Sequence, residues 1–531
     1  MKTIAESAND FVDLRTRAKG DCIYIDKTDY FHRLITIGGS NLFFIARPRR
    51  FGKSLMITTF KYIFEGRREF FRGLKIDRTD YDWKVHPVIH LNFGNCAAAT
   101  YADFASLLPN VMKLALEDSG YTYDGSLPPA MNFMNAIVWH FKRGTPCVVL
   151  IDEYDDPVAR ALANPAEAER VRSTLATIYG QIKDKTHMIR FMMMTGVSKF
   201  TKMSVFSAFS NLTDLTFNSD YAAMLGYTEE ELDEYFDEHM AAHAKVMGLS
   251  NGQYRAELKR WYNGYRFSPD NPVTVYNPVS TGLTFANPRD EFRGTWTQTG
   301  RPSMLMNYIK RDGLLKIDYE SGVTVREDAF DVSDINNLPA VGMLYQTGYL
   351  TITDYADGRF TLGIPDEEVR RDLLKLVAAQ AAERDEMWVS EICDHLIDKE
   401  FEPFFEGLKS LYAHLPYGST EGTAHEMNFE RALKILFWSQ GFTVVAEDVQ
   451  TQGRADLVVL QKRGIYIFEL KRDETAAAAL AQIKEKGYAK PYLADGRPIY
   501  SIGLNFDSAT RQLTDAAVEV VPSAECLVQS V

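Results

Sequence analysis

The sequence predicts an α/β multidomain protein. The expected order is an N-terminal parallel sheet with helices on both faces, a mainly helical middle, and a C-terminal mixed α/β core. Three observations carry this. Short apolar runs alternate with amphipathic stretches through the first 200 or so residues, the pattern of parallel strands joined by crossover helices. One of those runs leads into Gly52-Lys53-Ser54 and a helix-competent stretch, the order of a phosphate-binding loop. Two strand-like runs near the C-terminus carry Asp456 and Glu469-Leu470-Lys471. At 531 residues the chain exceeds one ordinary core, and roughly three or four domains are expected. The expected boundaries are 1–215, 216–290, 291–420 and 421–531.

Composition narrows the class. The chain is 46% hydrophobic and 25% charged, as soluble globular proteins are. A net charge of −13 argues against non-specific coating of nucleic acid while leaving room for a local basic patch. Five scattered cysteines with no C-x-x-C pair suggest neither a zinc site nor a disulfide framework. The N-terminal MKTIAESANDFVDLR has no apolar signal core, and no run approaches the length of a membrane span. A cytoplasmic chain without membrane contact is the expectation.

Taken in order, residues 1–40 read as a short strand and an amphipathic helix leading to the phosphate loop, with Asp26 and Lys27 as solvated loop charges ahead of nucleotide contacts. NLFFIARPRRFGKSL follows. The apolar run gives a strand, and Arg49, Arg50, Phe51, Gly52, Lys53, Ser54 and Leu55 form a loop and helix start. Backbone N–H groups and the Lys53 charge there suit a nucleotide phosphate. The G-x-x-x-x-G-K-[ST] pattern wants glycine where Arg47 stands, so the basic RPRR reads as charge placed near the phosphates. PVIHLNFG is a buried-strand candidate, and helices are expected near 101–118 and 131–142. CVVLIDEYDDP is a continuous apolar strand ending in Asp152-Glu153. Ligands sit at the C-terminal ends of such strands. Asp152, with Ser54, is placed to hold Mg²⁺, and Glu153 to polarise an attacking water. After a helix near 167–183, HMIRFMMMTGVSKF gives another strand, with Thr195, Ser198 and Lys199 where a γ-phosphate sensor would lie. Met192 to Met194 read as core filling.

RPRRFGKSL, VVLIDEYDDP, TGVSKF, WYNGYRF and VYNPVS together resemble an AAA-ATPase-like family whose members commonly end in a PD-(D/E)XK nuclease-like domain. The resemblance runs from about Tyr24 to Tyr492. It implies an AAA-like, ATP-binding N-terminal domain, and it makes Arg47 in place of glycine a family trait.

Beyond the first domain, Thr228 before three glutamates is an N-cap candidate. The aromatic-rich KRWYNGYRFSPDNPVTVYNPVSTG is either a lid or winged-helix-like module or a packing corner. Tyr262 and Tyr265 are considered for adenine stacking. From 287 to 414 the pattern is mostly helical, with a hairpin-like stretch at 344–362 turning at Asp357-Gly358. The alanine run 476–479 is explained by helix propensity.

The second informative stretch is 427–492. A helix carries Glu430, and two antiparallel strands bring Asp456 near Glu469 and Lys471. The strand period of two puts Glu469 and Lys471 on one face. Asp456, Glu469 and the Leu470 carbonyl offer oxygen ligands for Mg²⁺ (or Mn²⁺), with Glu430 reached from the helix. Lys471 would orient water or stabilise developing charge. These residues resemble the PD-(D/E)XK core, a restriction-endonuclease-like fold. Two departures are visible: Gly453-Arg454-Ala455 precedes Asp456 in place of proline, and Gln482 and Tyr488 stand six apart instead of four. Lys462, Arg463, Lys471, Arg472, Lys484, Lys486 and Lys490 add positive charge for a phosphate backbone.

The expected function is an ATP-binding and hydrolysing protein that controls a metal-dependent nuclease acting on nucleic acid, DNA ahead of RNA. Homo-oligomerisation is considered because P-loop enzymes often take an arginine from a partner. Arg49 and Arg50, or Lys199 and Lys202, are the alternatives within the chain. The rival reading is a nucleotide-switched binding protein whose C-terminal domain holds nucleic acid or a protein without cutting it.

Overall fold

The structure, a computed structural model, describes residues 2–4, 9–17, 21–199, 211–287, 291–296, 317–330, 340–413, 424–450, 453–510 and 512–522. Lys202 and Cys526 lie outside the described residues. The chain forms two compact units: residues 1–310 with 317–368, and 311–316 with 369–531. The region 291–420, expected as one connecting module, is divided between them.

In the N-terminal unit, β1 (Leu42–Ala46), β2 (Val88–Asn92), β3 (Cys147–Asp152), β4 (Ile189–Gly196) and β5 (Thr213–Asp214) make one parallel sheet in the order β2-β3-β4-β1-β5. Every residue of β1 and β3 is buried, so both faces are covered. That explains why both read as unbroken apolar runs. The strand between the loop-bearing β1 and the acidic β3 is β4, which is later in sequence than either, while β2 is an edge. Met192, Met193 and Met194 are fully buried core residues of β4.

The helices fall close to expectation: Tyr101–Asp118, Pro129–Lys142 and Pro165–Gly180. Thr228 caps the helix Glu229–Met247 with a reciprocal capping box to Glu231, which satisfies two end N–H groups. This helix, Asn251–Tyr262 and Pro278–Ala286 share a small core with Ile23 and Ile25, beside a short hairpin of β6 (Asn263–Tyr265) and β7 (Val275–Tyr276). The hairpin expected at 344–362 is shorter. Ala340–Thr347 is helical, and β10 (Arg359–Gly363) pairs antiparallel with both β9 (Thr351–Ala356) and β8 (Val323–Val325). Asp357 and Gly358 both take positive φ at the turn, as a tight two-residue hairpin requires.

The C-terminal unit has a second five-stranded sheet, β11 (Thr443–Gln450), β12 (Gly453–Gln461), β13 (Gly464–Arg472), β14 (Ile499–Phe506) and β15 (Leu513–Val521), in sequential order. Only β13 and β14 run parallel. The crossover between them holds the helix Ala476–Lys486, whose Leu480 and Ile483 join Val458, Ile465 and Ile467 in the core. The alanines here do more than favour helix. A β-carbon on Gly503 of β14 would lie 2.3 Å from the Ala476 carbonyl and 3.0 Å from the Ala479 β-carbon, so small residues on both sides let helix and strand touch. Among the described residues no helix is long and apolar enough to cross a membrane. The four described cysteines are buried free thiols.

The close contact yields a test. Gly503→Val is expected to lower unfolding stability of the C-terminal unit by about 1–3 kcal/mol through overpacking. Urea denaturation followed by circular dichroism would measure it, and an unchanged midpoint would contradict the contact.

Candidate functional sites

The first site forms where the C-terminal ends of β1, β3 and β4 meet. Arg50 (φ 70°) and Gly52 (φ 85°) take the left-handed conformation that folds the loop onto the helix Lys53–Phe64. Residue 47 is absent from the positive-φ positions, so the loop needs no glycine there. Lys53 donates to the Arg47 and Pro48 carbonyls at 3.0 and 2.8 Å. Burial lowers its pKa to about 8, against the pull of Asp152, Asp155 and Glu153. A cavity of about 580 Å³ opens here, lined by Arg49, Arg50, Gly52, Lys53, Ser54 and Glu153 on one side and by Ile25, Leu225, Tyr227 and Val279 on another. Leu55 and Ser198 also line it.

Asp152 is 1% exposed. Burial raises its pKa, while hydrogen bonds from the Ser54 hydroxyl and the Glu153 N–H oppose the rise. Ser54 and Asp152 thus meet, and their hard oxygens fit a magnesium ion. Glu153 follows in the left-handed region at φ 51°; burial and then Asp152 raise its pKa. Its carboxylate rests against Gly94, where a β-carbon would lie 1.8 Å from Oε2. The glycine after β2 is a site residue that motif reading missed, and PVIHLNFG carried it only as a strand end.

Asp155 ties the third strand end to the other two. Its carboxylate accepts from the Ser198 N–H (2.7 Å), the Ser198 hydroxyl (2.6 Å) and the Val197 N–H (3.2 Å). Ser198, expected as a phosphate sensor, therefore spends its hydroxyl on Asp155. Thr195 donates to the Ile45 carbonyl at 3.0 Å. Lys199 is buried in an ion pair with Asp214 at 2.9 Å.

The basic loop divides its labour. Arg47 is 1% exposed and does not line this cavity. It donates to the Ala46 and Thr216 carbonyls at 2.9 and 2.8 Å and lies 4.2 Å from the centre of the Phe267 ring. The reading of Arg47 as charge near the phosphates is corrected: it braces the loop. Arg49 pairs with Asp156 at 3.3 Å, and Arg50 donates to the Thr295 carbonyl at 2.9 Å. Phe51 presents only its backbone, because its ring is buried edge-on to Tyr265 and Phe267. Tyr262 and Tyr265 are themselves buried among Phe292, Trp296 and Phe267, which favours the packing corner over adenine stacking. Asp26 accepts from Thr28 and the Lys75 N–H, and Lys27 pairs with Glu231. They are structural links and not solvated charges.

The second site lies on β12 and β13. Leu457 faces Phe468 in register, which sets Asp456 beside Glu469. Asp456 accepts from the Leu470 N–H at 2.8 Å. Glu469 is 2% exposed. Its Oε1 takes the Lys471 ammonium at 3.4 Å and the Gln482 amide, while its buried Oε2 has no hydrogen-bond partner. Lys471 donates to Gln482 at 2.6 Å, and Gln482 reaches the Tyr488 hydroxyl at 3.4 Å. Despite the six-residue spacing, the two side chains meet. The helix ends at Gly487, and Tyr488 folds back beyond the cap. Burial, reinforced by Asp456, raises the Glu469 pKa to about 7. Two carboxylates, one of them with an orphaned oxygen, fit a hard divalent cation. Glu430 does not join them: it pairs with Lys434 at 2.8 Å, and among the described residues no three metal-ligating side chains gather. Lys462, Arg463, Arg472, Lys484, Lys486 and Lys490 are all exposed.

Comparison with known proteins gives two family matches. Residues 7–206 match the AAA-ATPase-like family, described as predicted AAA-ATPase, and residues 424–516 match the PD-(D/E)XK nuclease superfamily. A protein of Azotobacter chroococcum mcd 1, named for its place in the vnfD 5′ region, is 32% identical over 522 residues, covering 95% of this chain and 97% of its own length. No solved structure matches.

The raised Glu469 pKa sets a pH dependence. A carboxyl whose folded pKa exceeds its unfolded value contributes stability that is complete below the unfolded pKa and lost as pH rises through about 7. Metal binding needs the deprotonated form, so it runs the opposite way. Mn²⁺ affinity, measured by calorimetry, is expected to rise about tenfold between about pH 6 and pH 8 in the wild type. Glu469→Gln should weaken binding and flatten the profile.

Proposed function

Because this chain belongs to the AAA-ATPase-like family and carries a C-terminal PD-(D/E)XK nuclease superfamily domain, we propose that it hydrolyses ATP in one unit and cleaves nucleic acid in the other. The observation that carries the reading is the closed set Asp456–Glu469–Lys471–Gln482 around a buried, unpartnered carboxylate oxygen, in a chain whose P-loop also faces an aspartate–glutamate pair. In the ATP unit, loop N–H groups and Lys53 bind the phosphates, and Lys53 exchanges its two carbonyl partners for phosphate oxygens. Ser54 and Asp152 hold Mg²⁺, which would neutralise phosphate charge. Glu153, kept close by Gly94, takes a proton from the attacking water.

In the C-terminal unit, Asp456, Glu469 and the Leu470 carbonyl hold Mg²⁺ or Mn²⁺, which would lower the pKa of a bound water and polarise a phosphodiester. Gln482 fixes both Glu469 and Lys471. Lys471 meets the charge that develops on the phosphate. The exposed lysines and arginines follow the backbone of the substrate, DNA ahead of RNA. ATP state controls cleavage. Four buried free thiols suit a reducing cytoplasm. With Lys199 bound to Asp214 and Arg47 used as a brace, an arginine from a second copy is the proposed partner for the γ-phosphate.

One observation favours the rival reading of nucleotide-switched binding without cleavage: among the described residues, two carboxylates and no third metal-ligating side chain gather at the candidate metal site. Incubating DNA or RNA with Mg²⁺ or Mn²⁺, with and without ATP, separates the two. Cleavage by the wild type that falls at least about a hundredfold in Asp456→Ala and Lys471→Ala supports the nuclease. Variants that cut as well as wild type would sink it. For the ATP unit, Lys53→Ala should lose nucleotide binding, and Glu153→Gln should keep binding while losing about a hundredfold or more in turnover. Normal binding by Lys53→Ala would remove the P-loop assignment.

A further inference from the structure

We propose that nucleotide occupancy of the P-loop is read at Glu368, in the first turn of the helix Glu367–Ala381, through a relay of Arg50, Thr295 and Glu368. The inference rests on the nucleotide reading above and adds to it a line of transmission. Arg50 lines the cavity together with Lys53 and Glu153. Its guanidinium donates to the Thr295 carbonyl at 2.9 Å. The other side of the same residue is held too: the Thr295 N–H and hydroxyl both donate to Glu368 Oε1, at 2.6 and 2.9 Å. One residue is thus gripped by a phosphate-loop cation at its carbonyl and by a carboxylate at its amide and hydroxyl.

Glu368 is fully buried (0% exposed), and a carboxylate is tolerated there only because donors reach it. Its neighbour Glu367 pairs with Arg260 at 3.4 Å, so the first turn of this helix is anchored twice. Glu368 is also where the N-terminal unit ends, and the helix continues from Val369 as part of the C-terminal unit. The chain therefore leaves the nucleotide-binding unit along a helix whose start is fixed to the residue that Arg50 holds.

Polyphosphate changes the balance at one end of the relay. Its oxygens are charged acceptors, which bind a guanidinium roughly twice as strongly as neutral ones do and accept two parallel bonds. Nucleotide in the cavity draws Arg50 away from the Thr295 carbonyl. Thr295 is then held from one side only, and the anchor of the helix start loosens. A ligand shifts such an equilibrium only through its differential interaction with the two states; here that difference is the exchange of acceptors at Arg50.

Hydrogen exchange of the full chain, read by mass spectrometry with and without Mg²⁺ and the β,γ-imido analogue of ATP, tests the relay. The analogue is expected to speed exchange in the first two turns of Glu367–Ala381 about fivefold in the wild type. Glu368→Gln and Thr295→Val should bind the analogue as wild type does, by fluorescence titration, and lose more than half of that response. Thr295→Val removes the hydroxyl's bonds to Glu368 and Ser280, keeps the amide bond to Glu368, and carries the comparison if Glu368→Gln fails to fold. A wild type that binds the analogue without a change in this helix, or variants that keep the full response, would overturn the relay and leave the nucleotide reading standing. A wild type that binds no analogue overturns both.

Discussion

The buried Asp155 carboxylate holds the nucleotide face in register. It accepts the two N–H groups of Val197 and Ser198 and the Ser198 hydroxyl, and the neighbouring Tyr154 hydroxyl donates to the Ser198 carbonyl at 2.5 Å. The turn after β3 is thereby fastened to the loop after β4. On the other side, the Thr195 hydroxyl donates to Ile45 and the Arg47 N–H to Gly196, fastening β4 to β1. Three strand ends, at Ala46, Asp152 and Gly196, become one ledge carrying Lys53, Asp152 and Glu153. Removing the carboxylate would orphan several buried donors at once, and such networks fail together.

Much of this was legible in the sequence. The continuous apolar runs of β1, β3 and β4 announced a parallel sheet buried on both faces, and Gly52-Lys53-Ser54 with Asp152-Glu153 marked its ligand-binding edge. Asp456 and Glu469-x-Lys471 were legible for a different reason: strand period alone puts the pair on one face. What stayed hidden was the direction of long side chains. Arg47, Arg49 and Arg50 are interchangeable as letters. In space one braces the loop, one pairs with Asp156, and one holds Thr295. Ser198 and Lys199 sit at the strand end where a sensor belongs, but their partners are Asp155 and Asp214, and no periodicity signals either contact. Gln482 and Tyr488 illustrate the opposite case. Their spacing looked wrong for a helix face because the helix stops at Gly487, so spacing along the chain ceased to measure distance.

The two candidate sites differ in how they are prepared. At the P-loop, Lys53 and the three arginines already have protein acceptors, so a nucleotide would enter by replacing partners. At Glu469 one buried oxygen has none, so a cation would enter by filling a gap. The first arrangement makes occupancy a change of contacts that neighbouring residues can feel. The second makes the site depend on protonation, since a buried carboxyl beside Asp456 keeps its proton until pH or metal removes it.

Glu153 carries a consequence of its own. Its backbone occupies the left-handed region at φ 51°, where glycine or asparagine is at ease and a glutamate costs about 1 kcal/mol or more. An acid is kept at a position whose backbone asks for something else. Stability and the proposed chemistry pull in opposite directions at this residue: a change to glycine would relax the chain and at the same time remove the carboxylate proposed to take a proton from water. A sequence selected for thermal endurance alone would drift away from glutamate here. The local strain is thus what the fold bears to keep a carboxylate at this position.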